Sequence, residues 1–484
     1  MNQFLAFNKT LVVIILGVVS FLLLQLPFLF DENSTSGLMF FLFFIVITST
    51  FLILMYLVNY CLKKYGVKVT LVSLLTPFCF GFIWTYVVNP VLFFVYRDFD
   101  FVFRIGIDYS QIKDQILFSV FHVSILSLIG MIMLTAGFVI GKPFTFSVFK
   151  RFSHLKLNNK FFILLFFCIS SFGVYLYVRQ FGGLNLFLQN VMSIRTGQFE
   201  GDVSIPILRY AILALQLANY LILLHCLKKC ESMKLVFILT MFTMACLILM
   251  GGRGILINHF LVIGFIYSQY KNIKFSQLFS FLLVSLFILI YFRKILFYLQ
   301  GNDTSFVGND VGIIEQLNSI FLKNYNYEQT LLIVGDFLNN VPLLLLSPLV
   351  DTITTFWPES IIPIGKYDEP KFTYLITDLL TNRNVEDTMT PGLIGLFYLM
   401  FRDVGIVIGF FIIGYFIKVS MFIRPFLIRN DLVLLLYSIF WVSFLSLSSS
   451  GSIEAAFKGY MIRVLPLFIF LPFFFFKFVW RRKF

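Results

Sequence analysis

Three arginines stand in this chain where an arginine is costly to keep. Arg253 lies in Met250-Gly251-Gly252-Arg253-Gly254, between two apolar runs, 235–250 and 255–270, of 16 residues each. At about 1.5 Å per residue each run reaches roughly 24 Å, against about 30 Å of bilayer hydrocarbon. The turn is therefore expected to be drawn down toward the interface. A guanidinium at the bilayer centre would cost about 2.5–3.5 kcal/mol on insertion scales. Glycines on both sides leave backbone amides uncovered. Guanidinium plus bare amides suits a phosphate or pyrophosphate at membrane depth. The plainer alternative is a snorkelling arginine that anchors a hairpin.

Arg195 is the second. Leu184, Phe187, Leu188, Val191 and Met192 make an apolar helical stripe, and Arg195 falls on it, eleven residues after Leu184. Its side chain is expected to point where that stripe points, with Glu200 and Asp202 following in the chain. Arg402 is the third. Thr390-Pro391-Gly392 is a helix-start signal, with Thr390 expected as cap and Pro391 in the first turn. The segment 392–401 is too short to span. It meets Arg402-Asp403 and then continues as a full span, which predicts a half-helix feeding a membrane helix. Its positive N-terminal end and Arg402 both favour an anion. The alternative is an Arg402–Asp403 pair that caps the span.

Composition sets the stage for these residues. The 484 residues are 59% hydrophobic and 13% charged, with mean hydropathy +0.92, which no soluble domain of this length matches. We expect an all-α polytopic membrane protein with about 12 transmembrane helices. Hydropathy places them near 10–30, 38–61, 69–96, 116–141, 161–178, 206–227, 235–250, 255–270, 278–296, 403–419, 432–449 and 459–476. This divides the chain into a bundle of about nine spans (1–296), a large outside loop (297–391), and a half-helix with about three spans (392–484). With the N-terminus inside, 21 of the 37 basic residues fall in inside segments. Only Glu231 and Asp431 are acidic there, for a net charge near +19, against −6 elsewhere. The positive-inside rule favours this orientation, with both termini cytoplasmic. The overall +13 is thus a topology signal and implies no nucleic-acid partner.

The 95-residue outside loop is expected to hold helices of its own. It carries twelve acids, four basic residues (Lys323, Lys366, Lys371 and Arg383) and twelve aromatics. Rings that stack on sugar faces, and carboxylates that accept from hydroxyls, make a reasonable glycan surface. Ordinary packing of a capping domain is the competing account for any one of these residues. Glu200, Asp336 and Asp378 are candidate bases. The six cysteines fall in spans or at cytoplasmic ends, and the four histidines are scattered, so neither a disulfide framework nor a metal site is expected. No cofactor is expected.

The chain resembles the Wzy-type O-antigen and oligosaccharide repeat-unit polymerases. Those have 10–14 spans, a large periplasmic loop in the second half and a Gly/Ser-Arg-Gly turn between two spans. Gly252-Arg253-Gly254 matches the turn, and Ile362-Pro363 with Lys366 matches an element of the large loop. Thr390, Pro391, Gly395, Tyr398, Gly405 and Gly409 match the helix that often ends the loop. Two positions depart: Leu396 stands where the family often has an acid, and Arg402-Asp403-Val404-Gly405 where it often has Asn-Phe-Gly. The resemblance implies a GT-C-like membrane glycosyltransferase in the bacterial inner membrane, independent of nucleotide sugars. Donor and acceptor would be undecaprenyl-pyrophosphate-linked glycans, joined at the periplasmic face. Membrane lipid and a chain-length regulator protein are the further candidate partners. Arg253, Arg195, Glu200 and Asp336 are the catalytic candidates, and Arg402, Arg383, Lys366 and Tyr398 the substrate-binding ones.

Other classes stay open. A lipid-linked oligosaccharide flippase or other transporter also has about twelve spans. Transporters place ionisable residues near the midplane, whereas Arg209, Arg293, Lys294 and Arg463 lie near outer span ends. An O-antigen ligase would differ only in its acceptor, and a non-catalytic assembly partner is a further alternative. Under the polymerase reading, Arg195, Arg253 and Arg402 share one outer depth and are expected to converge on one cavity open to lipid.

Overall fold

A computed structural model describes residues 37–91, 109–142, 160–190, 208, 210–249, 253–271, 330–331, 333–335, 391–453, 456–457 and 459–467. Among these residues every regular element is helical. Six helices are long and apolar enough to cross a membrane: Phe41–Tyr65, Gln115–Ile140, Lys160–Arg179, Ala211–Lys229, Gly392–Ser420 and Asp431–Ser450. Leu75–Val91, Met233–Ile248 and Ile255–Tyr270 are shorter apolar helices. The expected spans at 10–30 and 278–296 lie outside the described residues.

The chain divides into two compact units that interleave along the sequence. The first gathers the described parts of Met1–Phe146, Leu322–Pro425 and Ser443–Lys458. It contains α1 (Gly37–Tyr65), α2 (Val67–Val72), α3 (Leu75–Ile83), a π-helical turn (Trp84–Val88) and α4 (Tyr109–Ile140). The second gathers the described parts of Ser147–Phe321, Phe426–Val442 and Gly459–Phe484. It contains α5 (Lys160–Arg179), α6 (Leu184–Gln189), α7 (Ala211–Lys229), α8 (Met233–Leu249) and α9 (Arg253–Tyr270). The long helix α10 (Gly392–Ser420) belongs to the first unit. The division falls inside α11 (Arg424–Arg429) and α12 (Asp431–Ser450).

The first unit is built on α4 against α10, which pack along most of their length. Apolar side chains gain little from leaving lipid for one another, so membrane helices associate through small residues that let backbones close in. A methyl added at Gly137 would overlap the Phe411 carbonyl, and one at Gly414 would overlap the Leu134 carbonyl. The Phe410 ring lies flat over Gly130, and the Lys418 stem lies over Gly141. These mates ascend together, so the two helices run parallel. Their outward faces stay apolar: Val404, Ile408, Ile412 and Phe416 of α10 are exposed, as are Phe41, Leu52 and Tyr56 of α1.

Within each unit, segments expected on one side of the membrane meet at one end. In the first, the Lys418 ammonium donates to the Tyr65 hydroxyl and lies over the rings of Tyr65 and Phe138. Leu74 N–H donates to Ser420 Oγ at 2.9 Å. In the second, Lys160 pairs with Glu231, and Lys228 Nζ donates to Asp431 Oδ2 at 2.7 Å. Asn430 caps α12, its Oδ1 accepting from Val433 N–H at 3.2 Å. The two acids expected inside are thus each paired with a lysine expected inside.

The second unit is a series of hairpins. α5 and α7 run antiparallel, with Gly173 on Ala211 near one end and Lys160 on Glu231 at the other. The predicted stripe that begins at Leu184 is helical in α6 up to Gln189, where the Leu186 carbonyl accepts from both the backbone N–H and the side-chain amide of Asn190. Its continuation through Val191, Met192 and Arg195 lies outside the described residues. Of the stripe, Phe187 is buried, against Tyr177 and Phe181, while Leu184 is exposed.

Candidate functional site

The half-helix predicted before Arg402 is present. Helical residues from Gly392 end at Phe401 (φ −147°, ψ 26°) and Arg402 (φ 53°, ψ −140°), after which α10 resumes. A positive φ on a residue with a Cβ costs about 1–3 kcal/mol and persists only where surrounding contacts enforce it. Those contacts are visible. The Phe397 carbonyl sits where a methyl on Gly405 would be, and the Phe397 ring lies 2.6 Å from where one on Gly409 would be. In a straight helix those pairs would be roughly 12 and 18 Å apart. The chain therefore doubles back at the break, and the two glycines provide the flat bed for Phe397.

The far end of the half-helix is pinned. Tyr86, carried on the π-helical turn, accepts from Ile394 N–H at 3.0 Å. Thr330 Oγ1 donates to the Pro391 carbonyl at 2.7 Å. Gly451 (φ 67°) lies against the Gly392 carbonyl, closer than any side chain permits. The cap position is held by Pro391, one residue later than expected, and Gly392 opens the helix. Pro391 to Leu396 are buried. This end does not offer a free anion site as expected, since its first turn is enclosed by protein and Ile394 N–H is taken.

Chemistry gathers instead at the break. The Arg402 guanidinium lies over the Tyr398 ring, 5.1 Å from its centroid. His122 of α4 meets the same ring edge-on, with centroids 6.4 Å apart and planes at 89°. The parallel register predicts this meeting, since His122 precedes Gly130 by the eight residues that separate Arg402 from Phe410. Asp403 follows, and its Oδ1 is buried with no hydrogen-bond partner among the described residues. Arg402, Asp403, Tyr398 and His122 are all half-buried. It offers one fixed cation, one aromatic face and two groups able to accept a proton.

Of the residues singled out by sequence, Arg402 and Tyr398 are brought together. Arg253 opens α9 as its first residue, rather than sitting in the preceding turn. First-turn N–H groups of a helix have no intrahelical acceptor, so amides and arginine share that end. Arg195, Glu200, Asp336, Lys366 and Arg383 lie outside the described residues. His122 was passed over as one of four scattered histidines. The signal that could have found it is the small-residue spacing Gly130, Gly137, Gly141, which marks the α4 face that receives another helix.

No family model matches this chain, and neither does any curated protein or solved structure.

Proposed function

We propose that this protein is a membrane glycosyltransferase that joins lipid-linked oligosaccharide repeat units at the outer face of the bacterial inner membrane. In this reading it has about twelve spans, a GT-C-like architecture and cytoplasmic termini. The observation that carries it is the broken helix, which holds Arg402, Tyr398, His122 and Asp403 together at the head of a span. The motifs around Arg253 and the Thr390–Gly409 segment supply the family reading.

The chemistry asks for what this constellation has. An acceptor sugar hydroxyl attacks the anomeric carbon of the donor, and the bond from that carbon to the pyrophosphate oxygen breaks. The hydroxyl loses a proton, which His122 or Asp403 can accept. The leaving pyrophosphate gains charge in the transition state, and an arginine at the interface gains interaction as it does. Tyr398 offers a ring face for a sugar. Arg253 and Arg195 remain the sequence-based candidates for pyrophosphate contacts, with Glu200 and Asp336 as alternative bases.

The deciding experiment is the surface-polysaccharide ladder of a deletion strain, complemented with wild-type protein or with His122→Ala. A deletion strain whose lipid core carries a single repeat unit, restored to a ladder by wild type alone, supports a polymerase. A bare core in the deletion strain would instead indicate a flippase or ligase and overturn the polymerase reading.

A further inference from the structure

The half-helix that carries Tyr398 starts without a cap of its own. The first N–H groups of a helix have no intrahelical acceptor, and a serine, threonine, aspartate or asparagine beside them usually supplies one. Here Pro391 and Gly392 hold that place, and the start makes no side-chain cap bond. Ile394 lies seven residues before Phe401, about 10 Å along the half-helix from the break. It is enclosed together with its neighbours from Pro391 to Leu396. A buried N–H left unbonded is strongly unfavourable, so the acceptor at Ile394 decides where the half-helix can begin. That acceptor is the Tyr86 hydroxyl, 3.0 Å away and 308 residues back in the chain.

Tyr86 is aimed by the turn it sits on. Phe78, Phe82 and Tyr86 form a ladder of rings at four-residue spacing, with successive centroids 5.2 and 5.1 Å apart. Phe78 and Phe82 also meet Phe410 of α10, at 6.3 and 5.8 Å. In a straight α-helix, residues four apart drift by about 40° around the axis, which would turn the third ring away from α10. The π-helical turn Trp84–Val88 is wider, and the Asn89 N–H reaches back five residues to the Trp84 carbonyl. Pro90 accounts for it: proline has no N–H, and in an α-helix its ring clashes with the carbonyl four residues back, that of Tyr86. The wider turn takes back the drift and keeps the buried Tyr86 ring in the ladder.

We infer that Tyr86 is a positioning residue for the constellation at the break: its phenol oxygen caps the half-helix in place of a local side chain, and the π-helical turn that aims it sets the height and rotation at which Tyr398 meets Arg402 and His122. Tyr398 follows Ile394 by one helical turn, so a bond that fixes Ile394 fixes the start of the turn that ends on Tyr398. The link to the reaction rests on the proposed function, whereas the capping does not.

The test compares the full-length wild type with Tyr86→Phe and Pro90→Ala, by amide hydrogen exchange in nanodiscs and by ladders from complemented deletion strains. Tyr86→Phe removes one oxygen and keeps the ring on Phe82. Exchange over 394–401 is expected to rise about tenfold or more, since a buried N–H loses its acceptor, while 120–135 of α4 keeps its rate. Chain extension is expected to fall about threefold to tenfold at unchanged protein level. Pro90→Ala lets the turn tighten to α-helical spacing and is expected to give the same exchange pattern with the tyrosine still present. It also carries the test if Tyr86→Phe does not accumulate. Faster exchange in both segments would show a general loss of packing and overturn the capping role. Unchanged exchange over 394–401 in Tyr86→Phe overturns the inference whatever the ladder shows, and in Pro90→Ala it overturns the role of the π-helical turn. Faster exchange over 394–401 with a full ladder overturns the positioning of the constellation. The same exchange result in a protein whose deletion strain shows no polymerase phenotype supports the cap and removes the reaction.

Discussion

The Phe397 ring lies on Gly409, twelve residues further along the same helix, because the chain doubles back between them. Gly405 receives the Phe397 carbonyl in the same way. Gly405→Ala puts a methyl against backbone, which cannot move aside as a flexible side chain could. It is expected to cost about 1–3 kcal/mol, as overpacking does, and to displace the half-helix that carries Tyr398. Gly264→Ala in α9 is the control, since nothing lies within 4 Å of a methyl there. Thermal midpoints in detergent should fall for the first and not for the second. Equal midpoints would mean that the break does not depend on the glycine bed.

Arg402→Ala is expected to abolish chain extension at unchanged protein level, and Arg402→Lys to retain little of it, because a point charge does not replace a planar fork. Tyr398→Phe keeps the ring face under the guanidinium and should keep most activity. Tyr398→Leu loses a cation–π contact of about 0.5–2 kcal/mol and should extend poorly. Ladders from complemented strains read all four, and a normal ladder from Arg402→Ala would remove the break from the reaction.

Arg253→Ala is likewise expected to leave single repeat units, with Arg253→Lys close behind. The arginine opens α9, where unbonded first-turn amides share its position. Normal polymerisation by Arg253→Ala would show that it only anchors the helix.

Glu231 reports on pH. The hydrogen bond from Lys160 holds its carboxyl below the ordinary carboxylate range, with the Lys160 charge and His225 adding to that direction. A depressed folded-state value means the stabilisation is full above the unfolded-state value and is lost as pH falls through the folded one. The stability gap between wild type and Glu231→Gln should therefore be present at neutral pH and close on acidification. A gap that widens in acid would contradict the pairing. The pair is exposed, so the gap is expected to be small and to shrink with salt.

Topology can be tested by reporter fusions at Lys156 and Asn309, which should report opposite sides of the membrane. The pairing of Lys160 with Glu231 and of Lys228 with Asp431 already groups at one end the segments that charge counting assigns inside. Fusions reporting the same side would break the twelve-span arrangement.

Much of the frame is legible in sequence because hydropathy and loop charge act locally. The expected spans at 38–61, 116–141, 161–178 and 432–449 lie within a few residues of described helices. The half-helix was legible from Thr390-Pro391-Gly392 and the Arg402-Asp403 interruption. The stripe through Arg195 continues past Asn190 into residues outside those described. The closed N-terminal end of the half-helix was not legible, because its partner is remote in sequence. The group that fills it, Tyr86, lies 308 residues away.

Taken alone, the sequence determined that this is a helical membrane protein, where several of its long apolar helices lie and where basic residues cluster between apolar runs. Those properties follow from residue type and from neighbours within a few turns. Only the tertiary structure decided that His122 stands beside Tyr398 and Arg402, and that Asn219, Tyr220, Thr240 and His259 form one chain of bonds. Inside a bilayer one apolar helix face is much like another to lipid. The choice of partner helix then rests on close packing at a few small residues, and glycines show which faces can approach without showing which helix will.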